Sequence, residues 1–151
     1  MPPTTLLGLL EKNPADQTAI ILPEQNLRLT YGALRDEVRS VAQALAAHGV
    51  GRGDRVGMAF PNGLPVVVAF LAAGEVGTAA PLNPGYKEDE FKFYLEDTSA
   101  KVLLLPPTGA EDARRAAAAC NVPVLSVDMT ADGHVTVERK RGGQAYEPPP
   151  V

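Results

Sequence analysis

A chain of 151 residues has the length of a single domain, and 45% apolar against 21% charged residues gives it enough material to bury a core. Its net charge of -4 removes any electrostatic case for nucleic acid or an anionic membrane surface, and the short run Arg139-Lys140-Arg141 beside Gly142-Gly143 reads as solvated linker. One cysteine, Cys120, excludes an intramolecular disulfide framework and fits a reducing compartment, so a cytoplasmic location is expected.

In chain order, MPPTTLLGLLEK lacks a positive n-region and a long apolar run, and no signal peptide is expected there. Thr18–Leu22 and Leu27–Thr30 read as two short strands joined by the turn cluster Pro23-Glu24-Gln25-Asn26, a hairpin at the edge of the domain. Thr30 is placed to cap a helix over Tyr31–His48, whose apolar face is Leu34, Val38, Val41 and Leu45. Arg35, Glu37, Arg39 and Gln43 fall off that face and are expected to meet water. Gly49 ends the helix. Val56–Phe60 is a buried strand, and Asn62 is expected to cap a helix over Leu64–Val76 with Pro65 in its first turn.

The helix over Leu64–Val76 is apolar on nearly every side before Glu75, so it should lie inside a larger structure. Its apolar run is too short to span a bilayer. A strand over Thr78–Leu82 follows, then a loop through Asn83-Pro84-Gly85, then a helix over Lys87–Asp97 with Phe91, Tyr94 and Leu95 on one side. Phe93 is off that side and is expected against a neighbouring element. Lys101–Leu105, Val122–Val127 and His134–Glu138 read as strands, and Gly109–Cys120 as an Ala-rich helix. Residues 1–138 form one α/β unit and 139–151 a Gly/Pro-rich linker. Alternating strands and helices imply right-handed crossovers and a mostly parallel sheet with helices on both faces.

Several patterns imitate chemistry without supplying it. Glycines 49, 51 and 53 resemble a dinucleotide loop, yet they leave a helix and enter a strand, the reverse of the order that aims a helix N-terminus at phosphate. No GxxxxGK[ST] loop occurs, and no serine sits in a GxSxG elbow. His48 and His134 have no ligand-like sequence neighbours, so a zinc site has little support. Glu88-Asp89-Glu90 opens a helix, where acids are favoured by the macrodipole. Cys120 follows four alanines and has no nearby histidine, as suits a small buried hydrophobe better than a nucleophile. A flavodoxin-like carrier would need a phosphate loop after its first strand, where Pro23-Glu24-Gln25-Asn26 stands instead.

Three segments in order carry a family resemblance. Leu29-Thr30-Tyr31-Gly32-Ala33-Leu34 matches the form L-[TS]-Y-x-x-L. Asp54-Arg55-Val56-Gly57 with Phe60-Pro61-Asn62 matches G-D-x-V-x-x-x-x-x-N when Gly53 is included. Leu71-Ala72-Ala73-Gly74 with Pro81-Leu82-Asn83-Pro84 follows roughly the form L-x-A-G-x-x-x-x-P-L, with six residues in place of four before Pro81. Together they resemble the N-terminal region of AMP-forming acyl-CoA synthetases, the adenylate-forming ligases, over about residues 5–138. The run TAAPLNPGYKEDEFKFYLEDTSAKVLLL looks most like the oxalate–CoA ligase branch.

The resemblance implies a Rossmann-like N-terminal subdomain of that ligase fold. It implies a parent enzyme that joins a small carboxylic acid to ATP with Mg²⁺, then passes the acyl group to coenzyme A. The phosphate loop and catalytic lysine of such enzymes have no counterpart in this sequence, so the chain alone is expected to be inactive and to bind none of these cofactors tightly. By analogy with related acetyl-CoA synthetases, Gly85, Arg114 and Arg115 are candidates to border coenzyme A, while Asn83 and Tyr86 fix their loop. Apolar surface left uncovered in such a fragment would favour self-association. A peroxisomal location stays open beside the cytoplasmic one, and a free-standing, non-enzymatic binding module is the alternative reading.

Overall fold

The computed structural model describes residues 5–139. A first helix, α1 (Leu6–Glu11), starts where the Thr5 hydroxyl accepts the Gly8 amide at 3.0 Å. It is too short to give a readable helical period and was not expected from the sequence. The strands β1 (Thr18–Leu22) and β2 (Leu27–Thr30) pair antiparallel as a separate hairpin. Its turn places Asn26 in the left-handed region, which asparagine tolerates better than most residues.

The chain passes from β2 directly into α2 (Tyr31–Ala47), capped as expected by the Thr30 hydroxyl, which accepts the Ala33 amide at 3.1 Å. At its end the Gly49 and Val50 amides donate back to Ala46 and Leu45, and Gly49 takes φ 88°. This is a Schellman closure that favours glycine. The expected face of α2 is buried, but so is Glu37, which sequence reading placed in water. His48 caps the helix with Nδ1 2.8 Å from the Ala44 carbonyl.

The remaining elements alternate. They are β3 (Arg55–Met58), α3 (Leu64–Val76), β4 (Thr78–Pro81), α4 (Glu88–Thr98), β5 (Val102–Leu105), α5 (Glu111–Ala119), β6 (Val124–Met129) and β7 (Val135–Arg139). Five of them form one sheet in the order β4-β3-β5-β6-β7. The first four are parallel, and β7 joins antiparallel to β6. The boundary differences have local causes. Gly109 and Ala110 both adopt positive φ, so α5 begins at Glu111. The Val122 amide still closes α5 onto the Ala117 carbonyl, so β6 starts later than the apolar run does. Gly63, not Asn62, is the N-cap of α3, and no side chain caps it. Pro65 removes one of the amides that a cap would have served.

Alternate residues of the strands feed two cores. Val56, Met58, Val102, Leu104, Leu125 and Val127 pack against α2 and α3. On the opposite face Leu103 and Leu105 pack with Phe91 and Leu95 of α4 and with Ala113, Ala116 and Ala117 of α5. Helices therefore cover both faces, as parallel strands require. Phe93 departs from expectation. It is 60% exposed and meets the Tyr94 ring edge-to-face at a centroid distance of 5.2 Å.

Candidate functional site at the carboxyl edge of the sheet

The sheet order fixes where a ligand could meet this fold. From β3 the chain moves to one side through α3 into β4, then α4 returns it past β3 to β5. The direction of winding thus reverses between β3 and β5. Open α/β sheets place ligands outside the carboxyl ends of strands at such a reversal. Here that edge carries the loops at 59–63, 82–87 and 106–110.

Each residue expected to border coenzyme A lies near this edge, and each has a partner within the chain. The Gly85 amide donates to the Asn83 side chain at 2.8 Å, an Asx-type turn. A Cβ at Gly85 would stand 3.2 Å from that same oxygen, so the turn alone accounts for glycine there. Tyr86 stacks on Tyr94 with centroids 5.1 Å apart and meets Phe91 edge-on. Its phenol titrates above the ordinary tyrosine range, first through its hydrogen bond with Tyr94 and then through burial. Asn83 and Tyr86 are in this way loop-fixing residues. Lys87 enters α4 with its amide on the Glu90 carboxylate at 3.2 Å.

The two arginines do different things. Arg114 donates through Nε to the Gly109 carbonyl at 2.7 Å and through Nη2 to the Pro106 carbonyl. It laces the β5–α5 loop to its own helix. Arg115 is more exposed, pairing with Asp112 at 2.9 Å and with Glu88 at 3.5 Å. The Glu88 contact joins α5 to the first turn of α4, three residues past Gly85. The structure thus brings the Gly85 loop and Arg115 into one neighbourhood and gives Arg114 a structural task.

Other chemistry finds less support. The glycines at 49, 51 and 53 lie between the end of α2 and the start of β3, where the Asp54 carboxylate accepts the Gly51 amide at 2.8 Å. Gly51 holds an aspartate, and Gly49 closes the end of α2. A hollow of about 250 Å³ beside β6 and β7 is lined by Pro107, Ser126, Asp128, Thr136 and Glu138. Its two carboxylates would repel a phosphate. Among the described residues no group of three His, Cys, Asp or Glu side chains is arranged for a metal ion, and no helix is long and apolar enough to cross a membrane. Cys120 is partly buried, and burial first and Glu96 second raise its thiol pKa, the opposite of nucleophile activation.

One polar pair escaped sequence reading. Glu37 of α2, 9% exposed, meets the turn before β7 with both carboxylate oxygens. His134 Nδ1 lies 2.7 Å from Oε1, and the Val135 amide donates to Oε2 at 2.8 Å. The partners are 97 and 98 positions apart, and no sequence signal links them. The pair holds α2 to the antiparallel edge of the sheet.

Known proteins share this architecture. The chain resembles ATP-bound MatB from Rhodopseudomonas palustris with a TM-score of 0.73 at 24% identity, over 87% of this chain and 26% of that one. It is 43% identical to "Probable CoA ligase CCL9" of Humulus lupulus over 83% of this chain and 24% of that protein. It is 37% identical to "Oxalate--CoA ligase" of Arabidopsis thaliana over 85% of this chain and 26% of that protein. A family model described as AMP-binding enzyme matches residues 10–150. The fold is that of the N-terminal domain of adenylate-forming ligases. The chain belongs to the AMP-binding enzyme family, and it spans about a quarter of the length of these two curated relatives.

Proposed function

We propose that this chain is the N-terminal α/β part of an AMP-forming acid–thiol ligase. The observation that carries the reading is the coincidence of family membership with a span of only 24–26% of its relatives' length. The parent reaction joins a carboxylate to the α-phosphate of ATP, releasing pyrophosphate. The thiol of coenzyme A then displaces AMP to give the thioester. Oxalate is the favoured acid, because the strand–loop–helix run from Thr78 to Leu105 looks most like that branch and relatives named oxalate–CoA ligase are among those matched.

The sequence has no GxxxxGK[ST] loop, and no step of adenylation is assigned to its residues. In the parent, Mg²⁺ would offset phosphate charge and ATP would be held by residues of the rest of the enzyme. This chain would supply the side of the site nearest coenzyme A. Gly85 would allow close backbone approach, Arg114 would hold the β5–α5 loop in shape, and Arg115 would exchange Asp112 and Glu88 for the 3′-phosphate. We take residues 1–138 as the folded unit, of which 1–4 lie outside the described residues; Arg139, expected in the linker, instead closes β7 opposite Leu125, and 140–151 lie outside the described residues. A cytoplasmic site of action fits the single cysteine.

The test uses the 151-residue chain and the longer ligase side by side. The chain alone should release no pyrophosphate above a blank with oxalate, ATP and Mg²⁺, and should self-associate at rising concentration by light scattering. In the longer ligase Arg115→Ala should raise the KM for coenzyme A by about tenfold or more, the worth of a lost hydrogen bond to a charged group. Carboxylate-dependent pyrophosphate exchange should be unchanged. An unaltered KM removes Arg115 from the coenzyme A site.

A further inference from the structure

Strand β6 is the last of the parallel strands. Among the described residues no helix follows it, and the chain turns straight back into β7. Leu125, Val127 and Val135 belong to the core beneath α2 and α3. Side chains alternate along a strand, so Ser126 and Asp128 of β6 and Thr136 and Glu138 of β7 point to the opposite face. On that face α5 packs over Leu103 and Leu105 of β5. Beside it opens the hollow of about 250 Å³, bounded by Pro107 and lined by these four polar residues.

The register sets the polar groups against one another. Ser126 stands opposite Glu138, and Asp128 opposite Thr136. The two carboxylates are therefore diagonal neighbours, about 7–8 Å apart. Neither forms an ion pair with another described residue. Asp128 Oδ1 accepts the Met129 amide at 2.8 Å. Ser126 is 7% exposed, and its Oγ has no hydrogen-bond partner among the described residues. A buried hydroxyl without a partner destabilises a fold, and so do two like charges facing one cavity. A ligand that donates hydrogen bonds and carries positive charge relieves both.

We propose that this hollow binds an alkylammonium group, held by Asp128 and Glu138 through charge and by Ser126 Oγ through a hydrogen bond, with Thr136 completing the polar wall. The three donors of an ammonium match two carboxylates and one hydroxyl. An anion would meet two negative charges. A divalent ion of the calcium type takes about six to eight oxygens in a close cage. Among the described residues this site offers two carboxylates, across a space several waters wide. The site lies on β6 and β7, apart from the reversal between β3 and β5, and its assignment does not rest on the ligase reading.

The test is an amide NMR titration of the 151-residue chain, at an ionic strength of about 0.15 M so that distant charges are screened. The probes are diaminobutane, Nα-acetyl-lysine methylamide, the neutral isostere butanediol, and calcium chloride. Either amine should give saturable shifts centred on Ser126, Asp128, Thr136 and Glu138, and butanediol none. Tighter binding of the diamine identifies the ligand as a free small amine, and tighter binding of the lysine analogue identifies it as a lysine side chain. Asp128→Asn and Glu138→Gln should each weaken amine binding by about tenfold or more, the worth of a hydrogen bond to a charged group. If one of them loses a dispersed spectrum, the other carries the comparison. Ser126→Ala should weaken binding as well, while raising the urea midpoint of the chain without amine, because it removes the hydroxyl that lacks a partner. No saturable shift with either amine overturns the proposal. So do equal shifts with butanediol, tighter saturation by calcium, or shifts centred instead on the acids of α4 and α5.

Discussion

Glu37 is a carboxylate inside the fold, and its two acceptors are both used. Removing it as Glu37→Ala leaves the Val135 amide unpaired beneath the hairpin of β6 and β7. We expect a loss of about 1–3 kcal/mol, the cost of a buried polar group without its partner, measured by urea denaturation. His134 is the exposed half of the pair. Its pKa is raised, first by the hydrogen bond to Glu37, then by that residue's charge, with Asp132 adding and burial opposing. A raised value means that the folded state holds the proton more tightly than the unfolded chain does. The stabilisation is therefore complete below the unfolded value of about 6.5 and is lost as pH rises through the folded one. The difference in denaturation midpoint between the native protein and His134→Gln should be largest at acid pH and shrink above neutrality. A difference that is flat across that range would contradict the pairing. Glycine makes a second residue-scale case. A Cβ at Gly77 would sit 2.6 Å from the Asp54 carbonyl oxygen, which is backbone and cannot yield. At Gly57 the nearest atom, at 3.2 Å, is the tip of Leu103. Gly77→Ala should cost about 1–3 kcal/mol, as overpacking does, and Gly57→Ala less.

At the scale of elements, what was legible followed from regular patterns. The i, i+4 and i+3 spacing of Leu34, Val38, Val41 and Leu45 gave α2, and Thr30 gave its start. Thr30→Ala should destabilise by about 0.5–2 kcal/mol, and the loss should appear as fraying of the first turn of α2 in hydrogen exchange. The apolar runs gave β3 to β6, and their order with the helices gave the parallel sheet. What stayed hidden has physical causes. α1 is shorter than two turns, so no period shows. Positive φ at Ala110 and Asn121 moved the ends of α5 and β6, and propensity does not read such single-residue choices. Glu37 looked like a surface acid because its partners arrive from the far end of the chain. Phe93 looked packed because large aromatics usually are, yet this one faces water. At the site, the Asn83–Gly85 turn was readable from residue types. The partners of Arg114 and Arg115 were not, since they depend on how α5 sits against the loop before it and against α4.

For the whole molecule, the sheet and its reversal between β3 and β5 are those of the N-terminal domain of adenylate-forming ligases, and the chain spans about a quarter of the two relatives named. The central claim is that this chain works only within a full ligase. Carboxylate-dependent ATP–pyrophosphate exchange tests that claim most directly, measured on the 151-residue chain and on the polypeptide extended to the length of its relatives, with oxalate in a panel of small acids. The account predicts exchange by the extended polypeptide, strongest with oxalate, and none by the chain alone. Exchange by the chain alone, or no exchange by the extended polypeptide with any acid, would contradict it.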